Sequence, residues 1–459
     1  LRYNPTRIIL FDQSESPLHD LTLEIKSICH SIVVETVIGD VRTLATLEGL
    51  FERYTPQLVY HAAAYKHVPL MEANPSQAIL TNVLGTKNVA DLACRYQVER
   101  FVMVSTDKAV NPSSVMGASK RIAELYVQSK HHFGFTADGS CGTKFITTRF
   151  GNVLGSNGSV VPLFTKQIKA GGPITITHPD VIRYFMTIPE ACQLVLEACC
   201  MGSGGEIYIF DMGAPVKIID LAKKMIRLAG LLPGKDIAIK VIGLRPGEKL
   251  YEELLNSAAL TLPTHHEKIM IAKEVLSGHE LLLQKIDELL ALSLHGSSEC
   301  IVQVMKQIVP EYVSLNSEFE DKDSKEKREK YVLHVAKMLQ FLGEKPEKAK
   351  ADAEAERLRQ EKLAADAKAK ADAEATSSKT IGIVIADIAN NADGTIATNG
   401  TLHDLNTSAF TAGDTLWLSA TTAGAMVANT PPAEPNHAVF IGFVARSHVT
   451  QGRIVMHIQ

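Results

Sequence analysis

Short apolar runs alternate with longer amphipathic stretches over the first 322 residues. The runs at residues 7–11, 58–61, 101–104 and 145–148 have the length and composition of buried strands. Strands separated by helical stretches predict a parallel sheet with right-handed crossovers, so the fold class is α/β. Ligands bind such sheets at the carboxyl ends of the strands. Polar residues that follow the runs are therefore the candidate functional residues.

The pattern changes twice further along the chain. Residues 323–378 are rich in charged residues and alanine, which predicts a solvated helical linker. Residues 379–459 carry few charges and contain runs of Thr, Val and Ile with turn signals such as Asp393-Gly394, which predicts a small all-β module. Three domains are expected, with boundaries near residues 322 and 378.

The richest chemistry lies just after the run at residues 101–104. Thr106, Asp107 and Lys108 place a hydroxyl, an acid and an amine side by side. Met116 and Lys120 follow at a spacing of four, which puts both on one face of a helix. The sequence thus predicts three reactive groups at a strand end and a lysine on the next helix.

This stretch resembles the active-site region of extended short-chain dehydrogenases/reductases. More narrowly, it resembles the UDP-N-acetylglucosamine 4,6-dehydratases of bacterial capsule and glycan synthesis. Most relatives carry Tyr-x-x-x-Lys where this chain has Met116, and a Met-x-x-x-Lys variant is known in that family. The resemblance implies a Rossmann-like fold, NAD as cofactor with NADP as the alternative, and a UDP-sugar as substrate.

The resemblance also implies roles for the individual side chains. Lys108 is expected to be the base at C5 of the hexose and Asp107 the acid for the 6-hydroxyl. Thr106 would bind the 4-oxygen, and Lys120 would hold the nicotinamide ribose. Lys108 must then be neutral, which requires burial or a nearby cation such as Lys120 to lower its pKa. Because Met116 cannot accept a proton, the sequence leaves open which group takes the 4-hydroxyl proton.

Further cofactor contacts follow from the same resemblance. Asp12 closes the first predicted strand, where an acid suits the ribose 2′-hydroxyl of NAD; the alternative is a turn-capping aspartate. The other positions are Asp40 and Val41 near adenine, Ala62 and Ala63 where the backbone approaches the cofactor, Lys66 between cofactor and substrate, and Asn82 in a structural or catalytic role.

The substrate contacts implied are Lys66, Asn152, Arg183, Arg245 and Glu248. The arginine fork suits a diphosphate because it donates two parallel hydrogen bonds. The alternative for each charged residue is an ordinary loop salt bridge. These residues place a small substrate-binding subdomain mainly within residues 150–300.

The beginning of the chain departs from the family pattern. Residues 1–12 match the end of the first helix and the second strand of the family, and no Gly-rich turn precedes them. The expected fold is therefore a Rossmann-like parallel sheet lacking its first strand.

Composition and charge argue against several other classes of protein, namely nucleic-acid-binding, membrane-spanning, disulfide-bonded and metal-binding proteins. The net charge of −4 gives no electrostatic drive toward nucleic acid, and no apolar run is long enough to span a membrane. The seven cysteines lack C-x-x-C spacing, which favours reduced, buried thiols in a cytoplasmic protein. The histidines show no metal-ligand spacing, so no metal site is expected. Family analogy adds a homo-oligomer.

Alternative functions stay open at this point. A nucleotide-sugar 4-epimerase needs no acid/base pair for C5 and C6, so residues 106–108 favour the dehydratase. A catalytically inactive or structural protein is the second alternative. Residues 379–459 resemble a phage tail-fibre or virion module, so the chain is alternatively a composite of unrelated parts.

Overall fold

The computed structural model describes residues 5–28, 31–133, 142–253, 261–274 and 279–341, together with six short strands further along the chain. The chain divides into two compact units, Leu1–Val335 and Ala336–Gln459. The domain boundaries proposed from the sequence, near residues 322 and 378, stay predictions.

The first unit contains fourteen strands. They are β1 (Arg7–Asp12), β2 (Val33–Ile38), β3 (Leu58–His61), β4 (Arg100–Thr106), β5 (Lys144–Phe150), β6 (Asn152–Val153), β7 (Ile174–Ile176), β8 (Ile182–Arg183), β9 (Phe185–Met186), β10 (Ile207–Phe210), β11 (Val216–Lys217), β12 (Ile239–Val241), β13 (Thr261–Pro263) and β14 (Ile269–Ala272), counted over the described residues.

Helices connect these strands. They are α1 (Glu15–Ile28), α2 (Leu44–Tyr54), α3 (Val68–Glu72), α4 (Pro75–Ala78), α5 (Gly85–Arg95), α6 (Val115–Phe133), α7 (Val160–Lys169), α8 (Ile188–Met201), α9 (Ile218–Leu228), α10 (His279–His295), α11 (Ser298–Ile308) and α12 (Lys325–Phe341). A π-helical turn spans Ile79–Leu84, and 3₁₀ turns span Asp107–Ala109 and Glu320–Lys322.

The central sheet has six strands in the order β13-β14-β10-β5-β4-β3. Strands β3, β4, β5 and β10 run parallel, and β14 and β13 continue the sheet in antiparallel pairing. Strands β1 and β2 form a separate parallel pair. The prediction of a Rossmann-like, mostly parallel α/β fold is confirmed, and each of the four predicted strands is present.

Strand β4 is buried on both faces, as expected for a parallel sheet. Successive side chains point to opposite faces. Phe101 and Met103 therefore enter the hydrophobic cluster on the side of α5 and α6, and Val102 enters the cluster on the side of α8. This double burial fixes the height at which β4 ends, and hence the position of Thr106.

Helix α6 lies unusually close to the turn that follows β4. A Cβ atom on Gly117 would stand 2.3 Å from the carbonyl oxygen of Lys108. Real Cβ atoms do not approach a carbonyl so closely, so the absence of a side chain at Gly117 permits this packing. It brings the first turns of α6 against the end of β4.

Two predictions about cysteine are wrong in part. Cys94 is disulfide-bonded rather than reduced. Cys192, Cys200 and Cys300 are exposed rather than buried, because they lie on outward-facing positions of α8 and α11, whereas Cys199 is a buried free thiol.

Among the described residues, no helix has the length and apolar character needed to cross a membrane.

The second unit is described through its strands. These are β15 (Ile383–Val384), β16 (Ile396–Ala397), β17 (Thr415–Leu418), β18 (Met426–Ala428), β19 (Phe440–Arg446) and β20 (Arg453–Val455). Strands β18, β17, β19 and β20 form an antiparallel sheet in that order. The sequence of this part contains four strand-like runs, at residues 380–385, 415–418, 438–444 and 452–458, and they overlap β15, β17, β19 and β20. The remaining residues predicted for the all-β module lie outside the described residues, and the resemblance to a phage module stays a prediction.

Candidate active site

A cavity of about 500 Å³ opens at the carboxyl ends of β3 and β4. Its other walls come from the segments around α7, β8 and residues 242–252. The predicted site residues that line it are Ala62, Lys66, Thr106, Lys108, Met116, Lys120, Asn152, Arg183, Arg245 and Glu248. The structure thus brings most of the predicted catalytic and substrate-binding side chains to one place.

Thr106, Asp107 and Lys108 form a hydrogen-bonded group at the end of β4. Thr106 Oγ1 donates to Asp107 Oδ1 at 2.8 Å, and Lys108 Nζ donates to the same oxygen at 3.0 Å. Lys108 Nζ also donates to Asn152 Oδ1 at 3.2 Å. Asp107 is fully buried, and its Oδ2 finds no hydrogen-bond donor in the described part of the chain. The amine therefore reaches the cavity wall while the carboxylate lies behind it, against Gly151.

The sequence predicted a lowered pKa for Lys108, and this prediction is wrong. Burial alone would lower its pKa, but attraction by Asp107 and Glu252 outweighs burial, so the pKa of Lys108 is raised. The nearby cation that opposes this rise is Arg183, and the expectation that Lys120 would act on Lys108 is not met. The free protein consequently holds Lys108 as an ammonium.

The lysine whose pKa is lowered is Lys120. Its side chain is almost fully buried, and its Nζ donates to the carbonyl oxygen of Val104 at 2.8 Å. Burial lowers the pKa of Lys120 to about 8, although Glu124 opposes the shift. Since an ammonium has three donors, Lys120 retains donor capacity for a ligand in the cavity. Met116 lies one turn earlier on α6 and is also buried at the cavity wall.

Asn82 holds the loop after β3 in place. It lies in the π-helical turn, and its side-chain amide reaches that loop. Asn82 Oδ1 accepts from the Tyr65 N–H at 2.8 Å, and Nδ2 donates to Tyr65 O and Ser119 Oγ. Both ends of the amide are occupied by protein, which fits the structural side of the prediction for Asn82. The loop it fixes carries Lys66 to the cavity.

The other predicted cofactor contacts lie away from this cavity. Asp12 Oδ1 accepts from the Ser14 N–H at 2.7 Å, so Asp12 caps the turn after β1. Asp40 pairs with Arg42, whose hydrogen bonds lower the pKa of Asp40. Val41 is buried in the core, and Ala63 is exposed beside Ala62.

The terminal guanidinium N–H groups of Arg183 donate hydrogen bonds to other groups of the protein. Its guanidinium donates to the carbonyl oxygens of Ile182, Lys249 and Leu250 and to Glu248 Oε1 at 3.4 Å. Arg183 therefore shapes the segment after β12. Arg245 is about half exposed and pairs with Glu248 at 3.1 Å. Of the two arginines, Arg245 has the freer guanidinium.

The segment from Asn152 to α7 forms another wall of the cavity. Asn152 is held by Lys108, and the following glycine-rich loop leads to Ser159 at the N-terminus of α7. Ser159 and Val160 line the cavity. A helix N-terminus offers free N–H groups and a partial positive charge, so an anion is favoured here.

Comparison with known proteins gives the family. A family model described as polysaccharide biosynthesis protein matches residues 1–274, which is more than half of the chain. The chain belongs to this family. It is 51% identical over 273 residues to the capsular polysaccharide biosynthesis protein CapD of Staphylococcus aureus, a match that covers 59% of this chain and 44% of CapD.

Two further relatives extend the comparison. The UDP-glucose 4-epimerase of Rickettsia rickettsii is 36% identical over 250 residues, covering 54% of this chain and 69% of the epimerase. The X-ray structure of Pen from Bacillus thuringiensis matches with a TM-score of 0.54 and 34% identity, covering 60% of this chain and 81% of Pen. The chain spans less than half the length of CapD, so the activity of a whole capsular protein does not transfer directly.

Two buried carboxylates of the site were missed from the sequence. Glu252 lines the cavity, with Oε1 3.8 Å from Lys108 Nζ and 3.9 Å from Arg183 Nε. Glu72 accepts from the Val115 N–H and from Ser317 Oγ, both at 2.6 Å, and so fixes the start of α6. Neither lies in a strand-end pattern. For Glu252 the available signal was the acid pair Glu252-Glu253 shortly after Arg245-Pro-Gly-Glu248.

Proposed function

We propose that this protein is a nucleotide-sugar 4,6-dehydratase that converts UDP-N-acetylglucosamine to a UDP-4-keto-6-deoxy sugar for bacterial polysaccharide synthesis. The observation that supports the proposal best is the Lys108–Asp107 pair, bonded at 3.0 Å and linked to Thr106, with Lys108 at the cavity wall and Asp107 buried directly behind it. Dehydration requires a base at C5 and an acid at C6, and the pair supplies both on adjacent residues.

The cavity fits a nicotinamide cofactor at the end near Lys120. NAD, with NADP as the alternative, would supply the oxidant that removes a hydride from C4 and returns it to C6. Lys120 has donors left for a ribose hydroxyl, and the small side chain of Ala62 lets a ligand approach the end of β3. Asp12, with one oxygen committed to its turn, stands at the carboxyl end of β1, where an adenosine ribose would be read.

The chain's own residues can accept and return every proton that the reaction transfers. In the active form Lys108 is neutral and Asp107 is a carboxylate. The proton of the 4-hydroxyl passes through Thr106 Oγ1 to Asp107, across a contact of 2.8 Å. Lys108 then removes the C5 proton, and Asp107 returns its proton through Thr106 Oγ1 to the leaving 6-hydroxyl, which departs as water. Lys108 returns a proton to C5, and both groups regain their starting states.

This route removes the difficulty posed by Met116. A tyrosine at that position would take the 4-hydroxyl proton, whereas methionine cannot. Thr106 stands at the cavity wall with its hydroxyl already hydrogen-bonded to Asp107, so it can relay the proton that the tyrosine would have accepted.

Substrate binding is proposed for the wall formed by residues 152–160 and the segment around Arg245. The N-terminus of α7, together with Arg245, would receive the diphosphate. Asn152 and Lys66 would contact the hexose or the phosphates. Glu248 would accept from ribose or uracil. Arg183 would act by holding residues 248–250 in shape, since its donors are committed there.

The deciding experiment is turnover of UDP-N-acetylglucosamine with NAD in deuterated water. A dehydratase exchanges the C5 proton with solvent through Lys108, so NMR should show a 4-keto-6-deoxy product carrying deuterium at C5. Clean inversion at C4 without deuterium would identify a 4-epimerase and end the dehydratase proposal. Absence of any UDP-sugar binding would favour a structural protein.

Lys108→Met should lower kcat by about 10²–10⁴-fold, because the variant loses the group that takes the C5 proton. UDP affinity should stay close to that of the unchanged protein, since the uracil and diphosphate sites are elsewhere.

In the unchanged protein the rate should rise with pH as Lys108 loses its proton, since the raised pKa keeps it charged at neutral pH. A rate that is flat from pH 6 to pH 10 would exclude Lys108 as the base.

A further inference from the structure

Glu252 is a buried carboxylate without an evident structural task. It is 7% exposed, and its Oε2 receives no hydrogen bond from any described residue. Leaving a buried charged oxygen without a donor costs free energy, so such a group calls for an explanation. Its only ionic partners among the described residues are Lys108 and Arg183, at 3.8 and 3.9 Å.

The adjacent acid gives a direct contrast. Glu253 is buried to a similar degree, but both of its oxygens are engaged. Oε1 pairs with Lys249 Nζ at 3.2 Å, and Oε2 accepts from Asn111 Nδ2 at 2.8 Å. Glu253 therefore ties the loop after β4 to the segment after β12. Glu252 faces the other way, into the cavity wall.

We propose that Glu252 is a positioning residue for Lys108, which holds the amine as an ammonium at the cavity wall and so sets the pH at which Lys108 can act as a base. The proposal rests on the proposed function only in naming Lys108 as the base. The contact itself is a property of the free protein.

The charges around Lys108 support this assignment. Asp107 hydrogen-bonds the amine from one side, and Glu252 faces it from the segment after β12 without a hydrogen bond. Arg183 is the cation on the same side, and Tyr331 of α12 is the further titratable group near Glu252. Two carboxylates against one guanidinium favour the charged amine, and burial alone would have favoured the neutral one.

The substitution Glu252→Gln separates charge from shape. It keeps the size of the side chain and removes the negative charge, while Asp107 stays in place to bind the amine. The pKa of Lys108 should then fall. An opposite charge at this distance shifts a pKa by about one unit or more, so the neutral fraction at a fixed pH below the titration should rise about tenfold or more.

The measurement is competitive labelling of the full chain with acetic anhydride between pH 7 and pH 11, with the extent at Lys108 read by mass spectrometry. It needs neither substrate nor turnover. Glu252→Gln should label faster at each pH below the midpoint. Glu253→Gln is the matched control, which should lower the melting temperature by removing the carboxylate that pairs with Lys249 and should leave the Lys108 titration unchanged.

The outcomes separate the two proposals. A Lys108 titration in Glu252→Gln that coincides with that of the unchanged protein overturns the role of Glu252, whatever the protein catalyses. A shift to lower pH in both glutamate variants also overturns it, because the effect would then come from general loosening. A shift confined to Glu252→Gln in a protein that dehydrates no sugar supports Glu252 and rejects the dehydratase. In an active protein, the acid limb of kcat should move to lower pH by the same amount as the labelling curve.

Discussion

At the scale of single residues, the two lysines of the site have opposite electrostatic surroundings. Lys108 lies between Asp107 and Glu252, which raise its pKa in spite of burial. Lys120 has a carbonyl oxygen as its hydrogen-bond acceptor, and burial lowers its pKa to about 8. The sequence places both lysines correctly beside the cavity. It could not assign their charges, because Glu252 is 144 positions from Lys108 along the chain and no local pattern joins them.

Lys120→Met should remove activity and leave the protein at least as stable at neutral pH. The folded-state pKa of Lys120 lies below its unfolded value of 10.5, so burial of the charge costs stability below about pH 8 and the cost disappears above pH 10.5. The difference corresponds to about 3 kcal/mol. Urea unfolding of both proteins from pH 6 to pH 10 should show that stability rises with pH more steeply in the unchanged protein. Parallel pH curves would contradict the buried-charge explanation. Lys130→Met, which removes an ion pair with Asp91 outside the cavity, is the comparison variant.

At the scale of elements, the site depends on how closely α6 approaches the end of β4. The hydrophobic pattern predicted β4 and the shared face of Met116 and Lys120, since both follow from local periodicity. The π-helical turn that carries Asn82 and the Cβ-free contact at Gly117 were not predicted. Both are matters of tertiary packing, and a glycine in a helical pattern carries no sign of what it touches.

Gly117→Ala should separate α6 from the turn that carries Lys108. The new methyl group would meet the Lys108 carbonyl oxygen, which cannot move without disturbing the whole turn. We expect a loss of about 1–3 kcal/mol in the free energy of unfolding, as for other overpacked positions. A larger fractional loss in kcat than in UDP affinity should accompany it. Gly49→Ala on α2 is the control, because its Cβ would meet no atom within 4 Å, and it should be neutral or stabilising. Equal stabilities for the two variants would contradict the close packing.

At the scale of the whole molecule, the first unit contains everything that the proposed chemistry uses. Its three hydrophobic clusters are all built from residues before 320. The α/β class and four of the strands could be predicted because parallel sheets impose a strong alternation of elements on the sequence. The boundary of the compact unit at Val335 could not be predicted, because α12 begins within a charged segment whose composition predicts a linker.

A chain shortened after Phe341, the end of α12, should therefore keep the fold and the proposed nucleotide site of the first unit. Its melting temperature should lie within a few degrees of that of the full chain, and its affinity for UDP should be unchanged. Calorimetry and UDP titration of both chains make the comparison. A truncated chain that fails to fold or bind would show that residues 342–459 are required for the site.

The ion pairs around Arg149 carry a consequence for biosynthesis. Arg149 pairs with Glu124 and Glu274, and Arg121 pairs with Glu274 and Glu311. Arg149 is 2% exposed, and its partner Glu274 follows 125 residues later, while Arg121 and Glu311 are 190 apart. A nascent chain that has left the ribosome only as far as β10 cannot complete this network. The sheet beneath the site must then wait for the later segments, so synthesis paused before residue 311 should leave a chaperone-dependent intermediate.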